Sequence, residues 1–309
     1  MNCEKVQEVI TEGEEHKNKS VNQERKGKTM GREENVRVFR DTEMQCKNNP
    51  NLRNAVKAST AKQKVYSSND LIIPIDKNKY KRKAKVVVSK KRSYQAAGAY
   101  TGQEVCVHNF ASATTPGGGV VEGSNAQEES LCRCSTLYFS LNAPDMWATF
   151  YVPHRMEQNP IHNDDCIYTP EVVVIKTDTE NPIMLSQDQW YKVNVITCAA
   201  PNLREVPSNR MNQADGTKKG KLSDKEQLEI HEKRLTRILD IALHEGNEVV
   251  ILGAFGCGAF ENNPEIVARA AKNVISNYLN AFETIEFAVY CTPRDEKNFK
   301  IFESVLGNI

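Results

Sequence analysis

The chain has 309 residues, 39% hydrophobic and 26% charged, with 41 Lys+Arg against 40 Asp+Glu for a formal charge of +1. That length holds one large domain or two modest ones, and the near-zero net charge argues against a general polyanion binder, which needs a basic surplus to displace counterions. The longest apolar runs fall far short of the roughly 20 residues a bilayer span requires, and the opening stretch MNCEKVQEVITEGEEHKNK lacks the apolar core of a signal peptide.

Nine cysteines, an odd number scattered through apolar segments, read as free thiols in a reducing compartment. The expected address is therefore cytoplasmic, or nuclear in a eukaryote. Residues 1–32 are rich in Lys, Glu and Asn and too poor in large apolar side chains to offset the entropy of ordering, so a charged, disordered extension is expected there.

The domain expected to carry the function spans 33–309. Within 33–68, Val36, Phe39 and Met44, then Leu52, Val56 and Ala58, recur at helical spacing on either side of Pro50, which predicts two helices. The core is expected over 69–309, where strand-like runs at 86–88, 105–110, 172–175, 193–198, 249–255 and 285–291 alternate with helical stretches near 93–100, 126–141, 223–245, 264–281 and 294–306. Such alternation predicts an α/β layered fold with a largely parallel sheet. Ligands of such sheets sit beyond the carboxyl ends of the strands, so the loops that follow strands are where chemistry is sought.

Two stretches are set aside. The polar stretch 204–221 reads as a long loop or a disordered insertion, and KYKRKAK at 79–85 as a solvated basic face before a strand. His108, beside Asn109 at a strand end, reads as structural.

After the strand near 105–110 comes NFASATTPGGGVVEGSNAQEESLCRCSTLY. Three adjacent glycines, Gly117, Gly118 and Gly119, are costly in any regular element and suit a main chain pressed against a ligand, although a plain tight turn uses glycine in the same way. Glu128 and Glu129 open a helix, where acids favour the dipole in any protein. Neighbouring helical residues also project about a hundred degrees apart, so two adjacent carboxylates can address two atoms of one ligand. One can orient a sugar hydroxyl while the other protonates a leaving oxygen and then recruits water. A helix amino terminus lowers a carboxylate pKa, whereas a general acid needs it raised; crowding and desolvation act the other way.

Gly-Gly-Gly, seven residues, then Gln-Glu-Glu resembles the signature of poly(ADP-ribose) glycohydrolase catalytic macrodomains, and FASAT-x-PGGG with QEESLCR-x-STLY resembles the microbial, or bacterial-type, branch. The resemblance implies a three-layer α/β/α macrodomain with a mostly parallel mixed sheet, preceded by N-terminal helices. It also implies hydrolysis of the ribose-ribose bonds of poly(ADP-ribose) with release of ADP-ribose. Glu129 would be the catalytic acid/base and Glu128 would hold the ribose hydroxyls. Asn109, Ala113, Thr115, Gly117, Gly118, Gly119 and Gln127 would contact the ligand. Thr115 departs from the family, where Asn is expected before the proline.

The second constellation is VVILGAFGCGAFENNPEIVARAAKNV. A strand runs into Gly253, Gly256 and Gly258, and Asn263-Pro264 marks a helix entry. Glycine turns between strand and helix present successive N–H groups to an anion, so a diphosphate suits this loop. The spacing fits neither a Rossmann nor a Walker loop. By likeness to the family, Gly256, Cys257, Gly258, Ala259 and Phe260 are expected to bind ADP-ribose, and Phe255 to lie in the core. The expected partners are poly(ADP-ribose) or ADP-ribosylated proteins, with no membrane, direct DNA recognition, metal or cofactor. The alternatives are a non-catalytic ADP-ribose reader and a mono-ADP-ribosyl hydrolase.

Overall fold

The computed structural model describes residues 31–72, 76–210 and 212–309. Seven strands form one sheet in the order β1-β4-β5-β3-β6-β7-β2: β1 Lys64–Tyr66, β2 Lys85–Ser89, β3 Val105–Ala111, β4 Cys166–Val174, β5 Tyr191–Ala199, β6 Val249–Leu252 and β7 Thr284–Ala288. Strands β2, β7, β6, β3 and β5 run parallel; at one edge β4 pairs antiparallel with β5, and β1 pairs antiparallel with β4.

Side chains along a strand alternate between faces, and here both faces are buried. Cys106, Ile196, Cys198, Val250 and Leu252 join one apolar cluster with the helices Asp224–His244, Pro264–Ile275 and Lys297–Leu306. Val105, Val107, Val193, Val195, Val249 and Ile251 join a second cluster on the opposite face with Leu131, Leu137 and Phe150. The result is the three-layer mixed α/β arrangement expected from the sequence, and among the described residues no helix is long and apolar enough to cross a membrane.

The α-helices of five or more residues are, in chain order, α1 Arg32–Asn48, α2 Pro50–Ala61, α3 Ser93–Ala97, α4 Gln127–Cys134, α5 Leu137–Leu141, α6 Val152–Glu157, α7 Asp224–His244, α8 Pro264–Ile275 and α9 Lys297–Leu306. Asn49 separates α1 from α2 and caps α2 by accepting from the Asn51 amide at 2.9 Å.

Several boundaries differ from expectation. The predicted helix 126–141 breaks at Ser135, which is extended and bridges Val174, so the end of β4 pairs between α4 and α5. Strand β4 begins six residues earlier than the apolar run at 172–175; Pro170 and Glu171, at a register shift between Thr169 and Val172, mask it in the sequence. The apolar run 249–255 leaves the sheet at Leu252, because Gly253 packs against Phe110 and the Ala288 carbonyl, where no side chain fits. The edge strand β1 and the helical segment leading into α6 were not anticipated.

The expected extension lies outside the described residues except for Gly31 and Arg32, and Arg32 already opens α1. The N-terminal helices are not an appendage to the core. Thr42 Oγ1 of α1 donates to the Arg133 carbonyl of α4 at 2.5 Å, and Asn35 Nδ2 donates to the Gly123 carbonyl at 3.0 Å. In α2, Ser59 Oγ donates to the Pro170 carbonyl at 2.5 Å. These bonds tie α1 to both ends of the segment that carries the acid pair.

Candidate active site

Strand β3 ends at Ala111, and its last residues receive α4. Gln127 Oε1 accepts from the Phe110 amide at 2.9 Å, while its Nε2 donates to the His108 carbonyl at 2.8 Å and to Ser93 Oγ at 3.0 Å. The amide side chain thus fixes the first turn of α4 on the strand end. Glu128 follows, 3% exposed, with Oε2 accepting from the Ser112 amide at 2.8 Å and Oε1 from Asn109 Nδ2 at 3.3 Å.

Glu129 is 7% exposed; its Oε1 accepts from the Gly119 amide at 2.9 Å, and among the described residues its Oε2 has no partner. The glycine turn wraps directly around the acids. Gly118 sits at φ +56°, and a Cβ there would lie 2.6 Å from Glu129 Oε1 and 3.1 Å from Glu128 Oε2. Gly117, at φ +66°, backs instead onto Tyr138 and Cys132.

Burial decides the electrostatics. Desolvation raises the Glu129 carboxyl above the usual carboxylate range, more strongly than the Gly119 amide lowers it. Desolvation, and then the charge of Glu129, push Glu128 well up. The helix amino terminus therefore does not control these acids, and both environments favour holding a proton.

The second glycine loop runs from Gly253 to the start of α8. Its conformation is fixed by Asn262, 2% exposed, whose Nδ2 donates to the carbonyls of Pro201 at 2.7 Å, Gly256 at 3.1 Å and Phe260 at 3.3 Å. The same side chain's Oδ1 accepts from Gln227 Nε2 at 3.1 Å and faces His231 Nε2 at 2.9 Å. Gly256, at φ +77°, has Ala200 and Asn262 pressed against the place of a Cβ. Among the described residues, the amides of Gly256, Gly258, Ala259 and Phe260 donate to no protein acceptor, so this loop can cradle an anion with main-chain N–H groups.

A cleft of about 920 Å³ joins the two loops. Of the residues singled out in the sequence, Gly118, Gln127, Glu128, Glu129, Gly256, Gly258, Ala259 and Phe260 line it. Asn109, Ala113, Thr115, Gly117, Gly119 and Cys257 lie outside this lining. Asn109 is fully buried between Glu128 and Thr197 and orients the acid. Ala113 is fully buried, Gly119 serves Glu129, Thr115 donates its amide to Ser112 Oγ at 3.1 Å, and Cys257 packs against the core. His108 is structural, wedged against Phe110 and Phe255, and burial lowers its pKa to about 3. Phe255 is in the core.

The stretch 204–221 is the main omission from the sequence reading. Asn212 and Asp215 from it are buried beside the acid loop, where Ser112 Oγ donates to Asn212 Oδ1 at 2.5 Å and Thr114 Oγ1 to Asp215 Oδ1 at 2.9 Å. Asn202 Nδ2 donates to Asp215 Oδ2 at 2.8 Å, and Asn212 Nδ2 also donates there. Ser112 is the residue whose amide holds Glu128, so this loop braces the acid pair. Arg204 and Arg210 of the same stretch line the cleft, with the Arg204 guanidinium 5.5 Å from the Phe260 ring centre. Alternating polar residues without apolar periodicity gave no sign of this packing.

A buried acid pair, pushed above the usual carboxylate range by desolvation, lies at the carboxyl end of a parallel strand and shares a cleft with a glycine loop able to cradle an anion, an arrangement suited to a glycoside hydrolase of the α/β/α class. Residues 33–177 match the family described as "Microbial-type PARG, catalytic domain". It is similar to poly(ADP-ribose) glycohydrolase from Thermomonospora curvata, with 25% identity and a TM-score of 0.76 over 88% of this chain and 98% of that one. The same enzyme bound to the inhibitor ADP-HPD aligns at 26% identity and a TM-score of 0.73, over 87% and 98%. Poly(ADP-ribose) glycohydrolase from Deinococcus radiodurans in complex with ADP-ribose aligns at 28% identity and a TM-score of 0.68, over 82% and 97%. No curated protein matches the chain.

Proposed function

We propose that this glycohydrolase cleaves the ribose-ribose O-glycosidic bond of poly(ADP-ribose) with Glu129 as the acid/base and Glu128 as the holder of the ribose hydroxyls, releasing ADP-ribose. The observation that carries the assignment is the Glu129 carboxyl: one oxygen is anchored on Gly119 and the other is buried at the cleft with no protein partner among the described residues. A carboxyl whose pKa is raised by desolvation is suited to deliver a proton to the leaving ribose oxygen as the glycosidic bond breaks. The resulting carboxylate then takes a proton from the water that attacks the oxocarbenium-like carbon, which restores the acid.

Glu128 cannot approach the same atom, since Ser112 and Asn109 hold its two oxygens. Each carboxylate oxygen still has acceptor capacity for a sugar hydroxyl. The amides of Gly256, Gly258, Ala259 and Phe260 would grip the diphosphate of the terminal unit, with the Phe260 ring closing over the ligand. Preorganised amides of this kind need no rearrangement as charge develops. Thr115, Ala113, Asn109 and Gly117 would then shape the site from behind.

The eight described cysteines are all unpaired thiols, which supports a reducing, cytoplasmic setting. Poly(ADP-ribose) or ADP-ribosylated proteins would be the partners. Incubation with purified poly(ADP-ribose), followed by chromatography of the products, tests the reading. Release of ADP-ribose by the native chain and its loss in Glu129→Gln, with ADP-ribose affinity within about tenfold of native, is the expected result. Tight ADP-ribose binding with no product from the native chain would make the protein a reader.

A further inference from the structure

Two arginines line the cleft that also holds the acid pair, on elements other than the glycine loop assigned to the diphosphate. Arg32, the first residue of α1, and Arg210, from the stretch 204–221, both line the cleft together with Ser124 and Asn125, which lie just before α4. This wall is built. Asn35 Nδ2 holds the Gly123 carbonyl, and Gly123, at φ +79°, packs so closely on the Arg32 carbonyl that a Cβ would lie 2.2 Å from it. Buried Arg133 donates through Nη1 to the Ser124 carbonyl and through Nη2 to Asn125 Oδ1.

Arg210 is placed by an ion pair from Nε to Glu122 Oε2 at 2.7 Å. That pair occupies one edge of the guanidinium fork and not the terminal Nη groups, which leaves donors for a second anion. Among the described residues Arg32 makes no ion pair. Two arginines from distant parts of the chain thus converge on the short segment 122–126 that leads into Glu128 and Glu129.

We infer that Arg32 and Arg210 form a second anion subsite, which takes the diphosphate of the penultimate ADP-ribose unit on the leaving-group side of the scissile bond. The inference rests on the polymer-hydrolase reading and refines it. In poly(ADP-ribose) the leaving oxygen belongs to a ribose whose own diphosphate is only a few covalent bonds away. A substrate held at the Glu129 carboxyl therefore carries its next anion near this wall. Arginine suits the task because its fork meets phosphate oxygens bidentately. A mono-ADP-ribosylated side chain has no anion to place there, so the subsite selects polymer over the mono-modified protein.

The test compares Arg32→Ala/Arg210→Ala with the native chain in three measurements: turnover of poly(ADP-ribose), turnover of a small aryl glycoside of ADP-ribose, and calorimetric affinity for ADP-ribose. Both arginines are exposed, so a melting curve coincident with the native one is expected. The expected outcome is a fall of about 10- to 100-fold in kcat/KM on polymer, as for the loss of charge-assisted hydrogen bonds. Turnover of the small glycoside and ADP-ribose affinity should stay within about twofold. A native rate on polymer, or an equal fall on both substrates, overturns the subsite. If the native chain fails to cleave polymer at all, it is the underlying reading that fails. Arg32→Lys/Arg210→Lys should recover only part of the polymer rate, because a point charge does not replace a fork.

Discussion

The place where a Cβ of Gly118 would sit is 2.6 Å from Glu129 Oε1, closer than a real side-chain carbon approaches an oxygen. Backbone of the glycine turn and carboxyl of the acid therefore share one surface, and neither can shift without the other. Gly118→Ala is expected to cost about 1–2 kcal/mol from its left-handed φ alone and to lower turnover about 100-fold by displacing the carboxyl. Urea unfolding and steady-state rates on poly(ADP-ribose) measure the two effects. An alanine variant with native turnover would show that the carboxyl is not fixed by the turn.

The second loop supplies a contrasting pair. A Cβ at Gly258 meets nothing within 4 Å, whereas at Gly256 it meets Ala200 and Asn262 at 2.6 Å. Gly256→Ala should therefore destabilise the fold by about 1–3 kcal/mol, as overpacking does. Gly258→Ala should melt like the native protein yet bind ADP-ribose at least tenfold more weakly, because the added methyl enters the space assigned to the diphosphate. Unchanged affinity in Gly258→Ala would remove that loop from the binding site.

The buried acids make stability depend on pH in a definite sense. Desolvation raises the folded pKa of Glu129 above its unfolded value, near about 4.3 for a free glutamate. Between those two values the folded state binds more protons than the unfolded state, so stability falls as pH rises through that window. Glu129→Gln keeps the acceptor for Gly119 and removes the charge. Its melting temperature should exceed the native one at neutral pH, with the advantage disappearing below about pH 4, while its turnover drops about 10²- to 10⁴-fold. An equal Tm at neutral pH would mean that the carboxyl is better solvated than its burial indicates.

The same shift sets the rate profile. An enzyme that needs Glu129 protonated is active below the raised pKa and loses kcat/KM as pH climbs through it. The falling limb should therefore lie above the range of an ordinary carboxylate, with apparent values that belong to the Glu128–Glu129 pair rather than to either residue. Rates on polymer across a pH series check this; a fall centred near pH 4.3 would contradict it.

Asp215 offers a test of the loop missed in the sequence. It is fully buried and accepts from Thr114, Asn202 and Asn212. Asp215→Ala leaves three buried donors without acceptors, a loss of about 3 kcal/mol, and should lower turnover through Ser112 and Glu128. Denaturant unfolding and kinetics, each compared with the native chain, provide the check.

Short-range pattern carried much of this protein. Apolar runs separated by amphipathic stretches fixed the α/β class, since strands such as β3 and β6 are buried on both faces and read as continuous apolar segments. Gly118, Glu128 and Glu129 were legible because a glycine turn and paired acids lie within thirteen residues of one another. Tertiary structure alone decided three matters. Desolvation, not the helix dipole, sets the sign of the acids' pKa shift, and burial has no local signature. Asn109 and Gly119 each donate to a carboxylate of the pair, a matter of direction that sequence spacing does not encode. Asn212, Asp215 and Arg210 reach the acid loop from about a hundred residues away, through polar contacts that leave no periodicity behind.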